Sequence, residues 1–181
     1  MRREENCSIS ALASIEDIII LSRAPQFKQL LLSPTLLLAF GFGSGLVKKA
    51  PGTFGTLAAI PIWYMMSNLN LLYYVVVIYV ATVVGIFVCE KASTELGVHD
   101  HGGIVWDEFV GFWIAMCPAS PSITNLLVGF ILFRLLDIFK PWPISWFDNN
   151  IRGGFGIMID DIVAGAVTAL LMAILRNLGF L

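Results

Sequence analysis

Two adjacent pairs of acids stand inside apolar runs. Asp107 and Glu108 lie in IVWDEFVGFW, Asp160 and Asp161 lie in GIMIDDIVAG, and a fifth acid, Asp137, lies in FRLLDIFKPWP. An acid at membrane depth costs roughly 2.5–3.5 kcal/mol even on insertion scales, and neighbouring carboxylates repel. The five must be neutralised by protons, basic partners or cations. Hard oxygen ligands suit Mg²⁺ or Ca²⁺, and Mg²⁺ commonly uses one or two carboxylates together with substrate phosphate oxygens. Any one of these acids could simply pair with a base or face headgroup water at a helix end. Two pairs and a fifth acid point instead to a metal site, with Asp107, Glu108, Asp137, Asp160 and Asp161 as its candidate ligands.

Other residues supply complementary chemistry. Lys48–Lys49–Ala50–Pro51–Gly52–Thr53–Phe54–Gly55–Thr56 sets lysines before a Pro-Gly turn, and Thr53 is a candidate cap. The free N–H groups of a helix start favour anions. The stretch is not a Walker A loop, and it also reads as an ordinary basic flank with a cap. Lys140 and Arg152, with the Gly153–Gly154 turn, form a second basic loop. Arg134, Asp137 and Lys140 recur every third residue, which fits a salt-bridge ladder as well as a catalytic face. His99, Asp100 and His101 precede Gly102 and Gly103. A histidine there could transfer protons near neutral pH or donate to a phosphate oxygen, or the trio could be loop structure alone. Gly111 follows Asp107 by four residues and Gly165 follows Asp161 by four, so each glycine lies one turn along its acid's face. Small residues there let helices approach closely.

The elements that must position these groups are helices in an apolar solvent. Of 181 residues, 57% are hydrophobic and 13% charged, against roughly 45–50% and 25% in soluble domains. The mean hydropathy is +0.83. Leu69 to Cys89 is uncharged throughout, long enough as a helix to span a hydrocarbon core of about 30 Å. Helices are also expected over Thr53–Asn68, Gly103–Met116 and Ile123–Phe139, and over Ile162–Leu175 with its start extended back to Ile157. Thr35–Val47, with glycines at 41, 43 and 45, reads as a short or re-entrant piece. The expected fold is all-α, a compact membrane-embedded bundle of about five main helices. Residues 1–34 are expected to form an N-terminal amphipathic, interfacial arm and 35–181 a single membrane-embedded domain that carries the acids.

If those five helices cross the membrane, ten of the eleven Lys and Arg residues fall on one side and only Arg176 on the other. The positive-inside rule makes the first side cytoplasmic. Trp142 and Trp146 suit interfacial anchors. The net charge of −2 gives no global field for nucleic acid. Cys7, Cys89 and Cys117, odd in number and without CxxC spacing, read as reduced and structural. The opening MRREENCSISALASIEDIII lacks the uncharged core of a secretory signal.

Taken in order, GFGSG (41–45), APGTFGTLAAIP (50–61), GVHDHGGIVWDEFVG (97–111), FRLLDIFKPWPISWFD (133–148) and GGFGIMIDDIVAG (153–165) resemble the phosphatidylglycerophosphatase A family. The resemblance implies an all-helical, multi-pass, Mg²⁺-dependent phosphatase of the bacterial inner membrane. Its lipid substrate would be phosphatidylglycerophosphate, converted to phosphatidylglycerol and inorganic phosphate. The family's acidic pairs fall on Asp107, Glu108, Asp160 and Asp161, its further acid on Asp137, and its KPWP lysine on Lys140. Asp107, Glu108, Asp161, His99, Asp100 and His101 are then the candidate catalytic residues. Lys49, Thr53, Thr56, Arg134, Lys140 and Arg152 are the candidate substrate-binding residues. The alternative class is an ion-coupled transporter using intramembrane carboxylates. Against it, the acids cluster near one side and no pair of repeated broken helices is visible. The motifs of CDP-alcohol phosphotransferases are missing.

Overall fold

The computed structural model describes residues 25–98, 101–117 and 119–181. These residues form helices and loops without a strand. The order is α1 (Phe27–Leu32), α2 (Pro34–Ala39), a 3-10 helix (Gly41–Leu46), α3 (Pro51–Met66), α4 (Leu71–Leu96), α5 (Trp106–Ala115), α6 (Ile123–Phe139), α7 (Ile144–Asn150) and α8 (Gly153–Asn177). The all-helical expectation holds. The count does not: nine helical segments stand among the described residues where five main ones were expected. The added four are single short turns, α1, α2, the 3-10 helix and α7, whose six or seven residues are too few to show a hydrophobic period. The arm expected over residues 1–34 lies mostly outside the described residues, as does Cys7, while Cys89 and Cys117 are not joined in a disulfide.

Local chemistry sets the helix limits. Asn70 caps α4, its side chain accepting the Tyr73 N–H at 3.1 Å, and Gly97 ends it at φ 67°. Ser122 caps α6 by accepting the Asn125 N–H at 3.1 Å. Both are the short polar side chains that satisfy otherwise unpaired helix N–H groups. The start of α8 is served from another element, since the Glu90 carboxylate of α4 accepts the Gly154 N–H.

Burial identifies the middle of the bundle. In α5, Trp106, Phe109, Val110, Gly111, Phe112, Trp113 and Ala115 are all buried. A helix apolar on every side belongs inside, and α5 packs chiefly against α8, with α3, α4 and α6 around it. Its ten residues extend about 15 Å, so it is a core helix. Long hydrogen bonds pin its aromatic side: Trp106 Nε1 donates to Ala81 O at 3.1 Å, Trp113 Nε1 to Ala59 O at 3.1 Å, and Tyr74 Oη to Trp113 O at 2.6 Å. Two helices, α4 and α8, are long and apolar enough to cross a membrane.

Candidate active site

The acids approach because glycines remove the side chains that would hold α5 and α8 apart. A Cβ on Gly165 would stand 2.3 Å from the Gly111 carbonyl oxygen, and one on Gly111 would stand 2.7 Å from that of Asp161. Real Cβ atoms do not come so close, so both positions exclude any side chain. One turn from this contact, the first turn of α5 presents Asp107 and Glu108 and α8 presents Asp160 and Asp161. The last turn of α6 adds Asp137. The start of α3 backs Glu108: a Cβ on Gly52 would lie 2.1 Å from Glu108 Oε1.

The result is one polar cavity of about 190 Å³, lined by Asp107, Glu108, Asp137, Lys140, Asp148, Asp160 and Asp161 together with Gly102, Ile104, Ile151, Gly156 and Ile157. Ligand oxygens of Asp107, Glu108 and Asp161 lie within 4.8 Å of one another, and so do those of Asp137, Asp160 and Asp161. Asp160 and Asp161 are buried, 7% and 2% exposed. Glu108 Oε2, Asp160 Oδ1 and Asp161 Oδ2 are buried with no hydrogen-bond partner. Leaving a buried carboxylate oxygen unsatisfied is costly. Three such atoms around one cavity, all hard oxygen donors, fit a Mg²⁺-type ion.

Two cations face these acids from different directions. Arg134 Nη1 is 2.5 Å from Asp137 Oδ2 and 3.9 Å from Glu108 Oε1, and it donates to Thr56 Oγ1 at 3.4 Å. Lys140 Nζ lies 2.7 Å from Asp160 Oδ2 and 2.5 Å from Asp148 Oδ1. Burial alone would pull the Lys140 ammonium down, but hydrogen bonds and attraction to Asp148 and Asp160 outweigh it and hold the group above the ordinary lysine range.

The chain matches the phosphatidylglycerophosphatase A family over residues 37–176. It is 51% identical to phosphatidylglycerophosphatase A of Escherichia coli over 138 residues, 76% of this chain and 80% of that one. It is 46% identical to the protein of the same name from Haemophilus influenzae, over 77% of this chain and 87% of the relative. This chain belongs to the phosphatidylglycerophosphatase A family. A Bacteroides thetaiotaomicron protein with the provisional name phosphatidylinositol-3-phosphatase is 34% identical, over 78% of this chain and 92% of its own. No solved structure matches. Membership of the phosphatidylglycerophosphatase A family makes the chain a phosphatase, and the matched span contains every acid of the cavity.

Within this phosphatidylglycerophosphatase A fold, the sequence candidates separate by place. The five acids and Lys140 share the cavity. Arg134 stands behind it, paired to Asp137 and Glu108 with 12% of its side chain exposed. Lys140 does not extend the Arg134–Asp137 ladder: it caps α6 in a left-handed conformation, φ 41°, and turns to Asp148 and Asp160. Thr53 is not the cap of α3, which begins at Pro51 after Ala50. Thr56 is fully buried and donates to Gly52 O at 2.9 Å. Lys49 and Arg152 are exposed and do not line the cavity. His101 precedes Gly102 of the cavity lining without lining it itself, its Nδ1 accepting the Gly103 N–H at 3.0 Å; His99 and Asp100 lie outside the described residues. Asp148 is a cavity residue that sequence reading passed over. Its place seven residues after the KPWP proline Pro141 was the available signal.

Proposed function

We propose that this chain is a Mg²⁺-dependent phosphatase of the bacterial inner membrane that converts phosphatidylglycerophosphate to phosphatidylglycerol and inorganic phosphate. The observation carrying the reading is the gathering of six carboxylates and Lys140 around one cavity in a chain of this family. Asp107, Glu108, Asp137, Asp160 and Asp161 would hold Mg²⁺. When bound, it supplies a Lewis acid for the phosphoryl oxygens and makes water a better nucleophile. Lys140 offers three N–H donors, two of them engaged by Asp148 and Asp160, and the third meets a phosphate oxygen. Water attacks phosphorus, the P–O bond to glycerol breaks, and the proton that the attacking water gives up ends on the glycerol oxygen. His101, with Nδ1 accepting from Gly103, is neutral and carries its proton on Nε2, so its part is to donate a hydrogen bond from Nε2 that holds a reacting oxygen while the proton moves.

A bilayer setting is supported by the surface. The apolar window of α4 is only 17% buried, and Val76, Tyr79, Val80 and Phe87 face outward, which a soluble core helix would not show. A cavity at the cytoplasmic headgroup level would meet the lipid phosphate without drawing it into the hydrocarbon. The lysine-rich flanks support a cytoplasmic side for that end.

Phosphate release from phosphatidylglycerophosphate in detergent, with and without Mg²⁺, tests the reading. Wild type should release phosphate only with the ion, and Asp107→Asn and Asp161→Asn should each lose at least about a hundredfold. Release unaffected by a chelator, or by either substitution, would overturn it.

A further inference from the structure

We propose that the acid cavity is a binuclear site in which Asp161 is shared between two divalent cations. This rests on the reading of the cavity as the metal-dependent phosphatase site and specifies how the metal is held. Two separate groups of three carboxylates meet the spacing of a cation site, Asp107–Glu108–Asp161 and Asp137–Asp160–Asp161, each with its ligand atoms within 4.8 Å. Asp161 alone belongs to both. Glu108 and Asp107 come from α5, Asp137 from α6, and Asp160 from α8 beside Asp161, so each group is completed by a different neighbouring helix.

Two further observations point the same way. Asp161 is 2% exposed and its Oδ2 has no hydrogen-bond partner, while Glu108 Oε2 of one group and Asp160 Oδ1 of the other are likewise buried and unpartnered. Each group therefore contributes its own unsatisfied oxygen. Charge gives the second. Six carboxylates, Asp107, Glu108, Asp137, Asp148, Asp160 and Asp161, line the cavity, and two cationic side chains, Arg134 and Lys140, pair with them. The formal excess of four negative charges equals the charge of two divalent cations. A single ion would balance only half of that formal excess and leave the rest to protons, since uncompensated charge in a poorly hydrated place is expensive. Two ions held by these residues would supply charge stabilisation for an in-line phosphoryl displacement.

The test is Mn²⁺ binding by the full chain in detergent micelles, read by equilibrium dialysis and by electron paramagnetic resonance, with phosphate release measured on the same preparation. Wild type should bind two Mn²⁺ per chain with an exchange-coupled spectrum. Asp137→Asn should retain one ion with an uncoupled signal, and Asp161→Asn should lose the coupling and weaken binding of both ions at least about tenfold. One bound ion or none, in a chain that hydrolyses phosphatidylglycerophosphate, would overturn the shared site and leave the activity standing. Two coupled ions in a chain that releases no phosphate from that lipid would uphold the pair and overturn the phosphatase reading. If Asp161→Asn fails to fold, wild-type stoichiometry and coupling decide alone.

Discussion

Gly165 of α8 rests against the carbonyl of Gly111 of α5, with no room between them for a side chain. This contact fixes the separation of the two helices that carry four of the five acids. Gly165→Ala should therefore force α5 and α8 apart. Overpacking of this kind costs about 1–3 kcal/mol, and a displacement near 1 Å at a reacting centre can cost about a hundredfold in rate. Thermal unfolding should shift down, and phosphate release should fall by at least tenfold.

Arg134 is expected to position carboxylates and not to bind substrate. Arg134→Gln leaves Asp137 and Glu108 facing each other without their cation, and breaking a buried pair costs roughly 3–5 kcal/mol. Chemical denaturation should show a loss of that order, and kcat should fall more than KM rises. Thr56→Val, which removes the hydroxyl that accepts from Arg134 and donates to Gly52, should cost about 1 kcal/mol. A rise in KM alone for either variant would contradict the positioning role.

Lys140 should behave differently. Lys140→Met removes a donor aimed into the cavity, so kcat/KM should drop by about a hundredfold or more. Lys140→Arg should recover only part of this, because a planar guanidinium cannot stand between Asp148 and Asp160 as a compact ammonium does. Steady-state kinetics on both variants decides.

Glu90 provides a control outside the cavity. Its carboxylate meets the start of α8, where negative charge is stabilising by about 0.3–1 kcal/mol. Glu90→Gln should lower the unfolding midpoint slightly while leaving kcat within about threefold, as measured by paired unfolding and activity assays.

The membrane orientation is open to chemical labelling. Asn68 and Lys91 are exposed near opposite ends of the α3–α4 pair. In intact spheroplasts, with Cys117→Ser as background, Asn68→Cys should react with an impermeant thiol reagent and Lys91→Cys should not. Labelling of both would refute the proposed topology.

The sequence by itself determined the class of fold, the family and the five acids. These rest on local or cumulative signals: apolar runs too long for a soluble helix, the expense of a carboxylate such as Asp161 in such a run, and motifs held in order from Phe40 to Gly165. The spacing of Gly111 and Gly165 from their acids already marked the close approach of two helices. Tertiary structure alone decided which base serves which acid. Arg134 and Lys140 sit six residues apart on one segment, yet the left-handed turn at Lys140 sends the second to Asp148 and Asp160 while the first stays with Asp137 and Glu108. Periodicity is blind to such a turn because it extrapolates the helix through it. Thr56 was expected at the substrate and Asp148 was passed over for a related reason: the Arg134 partner of Thr56 lies on another helix, and Lys140 reaches Asp148 only across the turn that ends α6. The sharing of Asp161 between two groups of ligands is the furthest case, since it exists only where three helices meet.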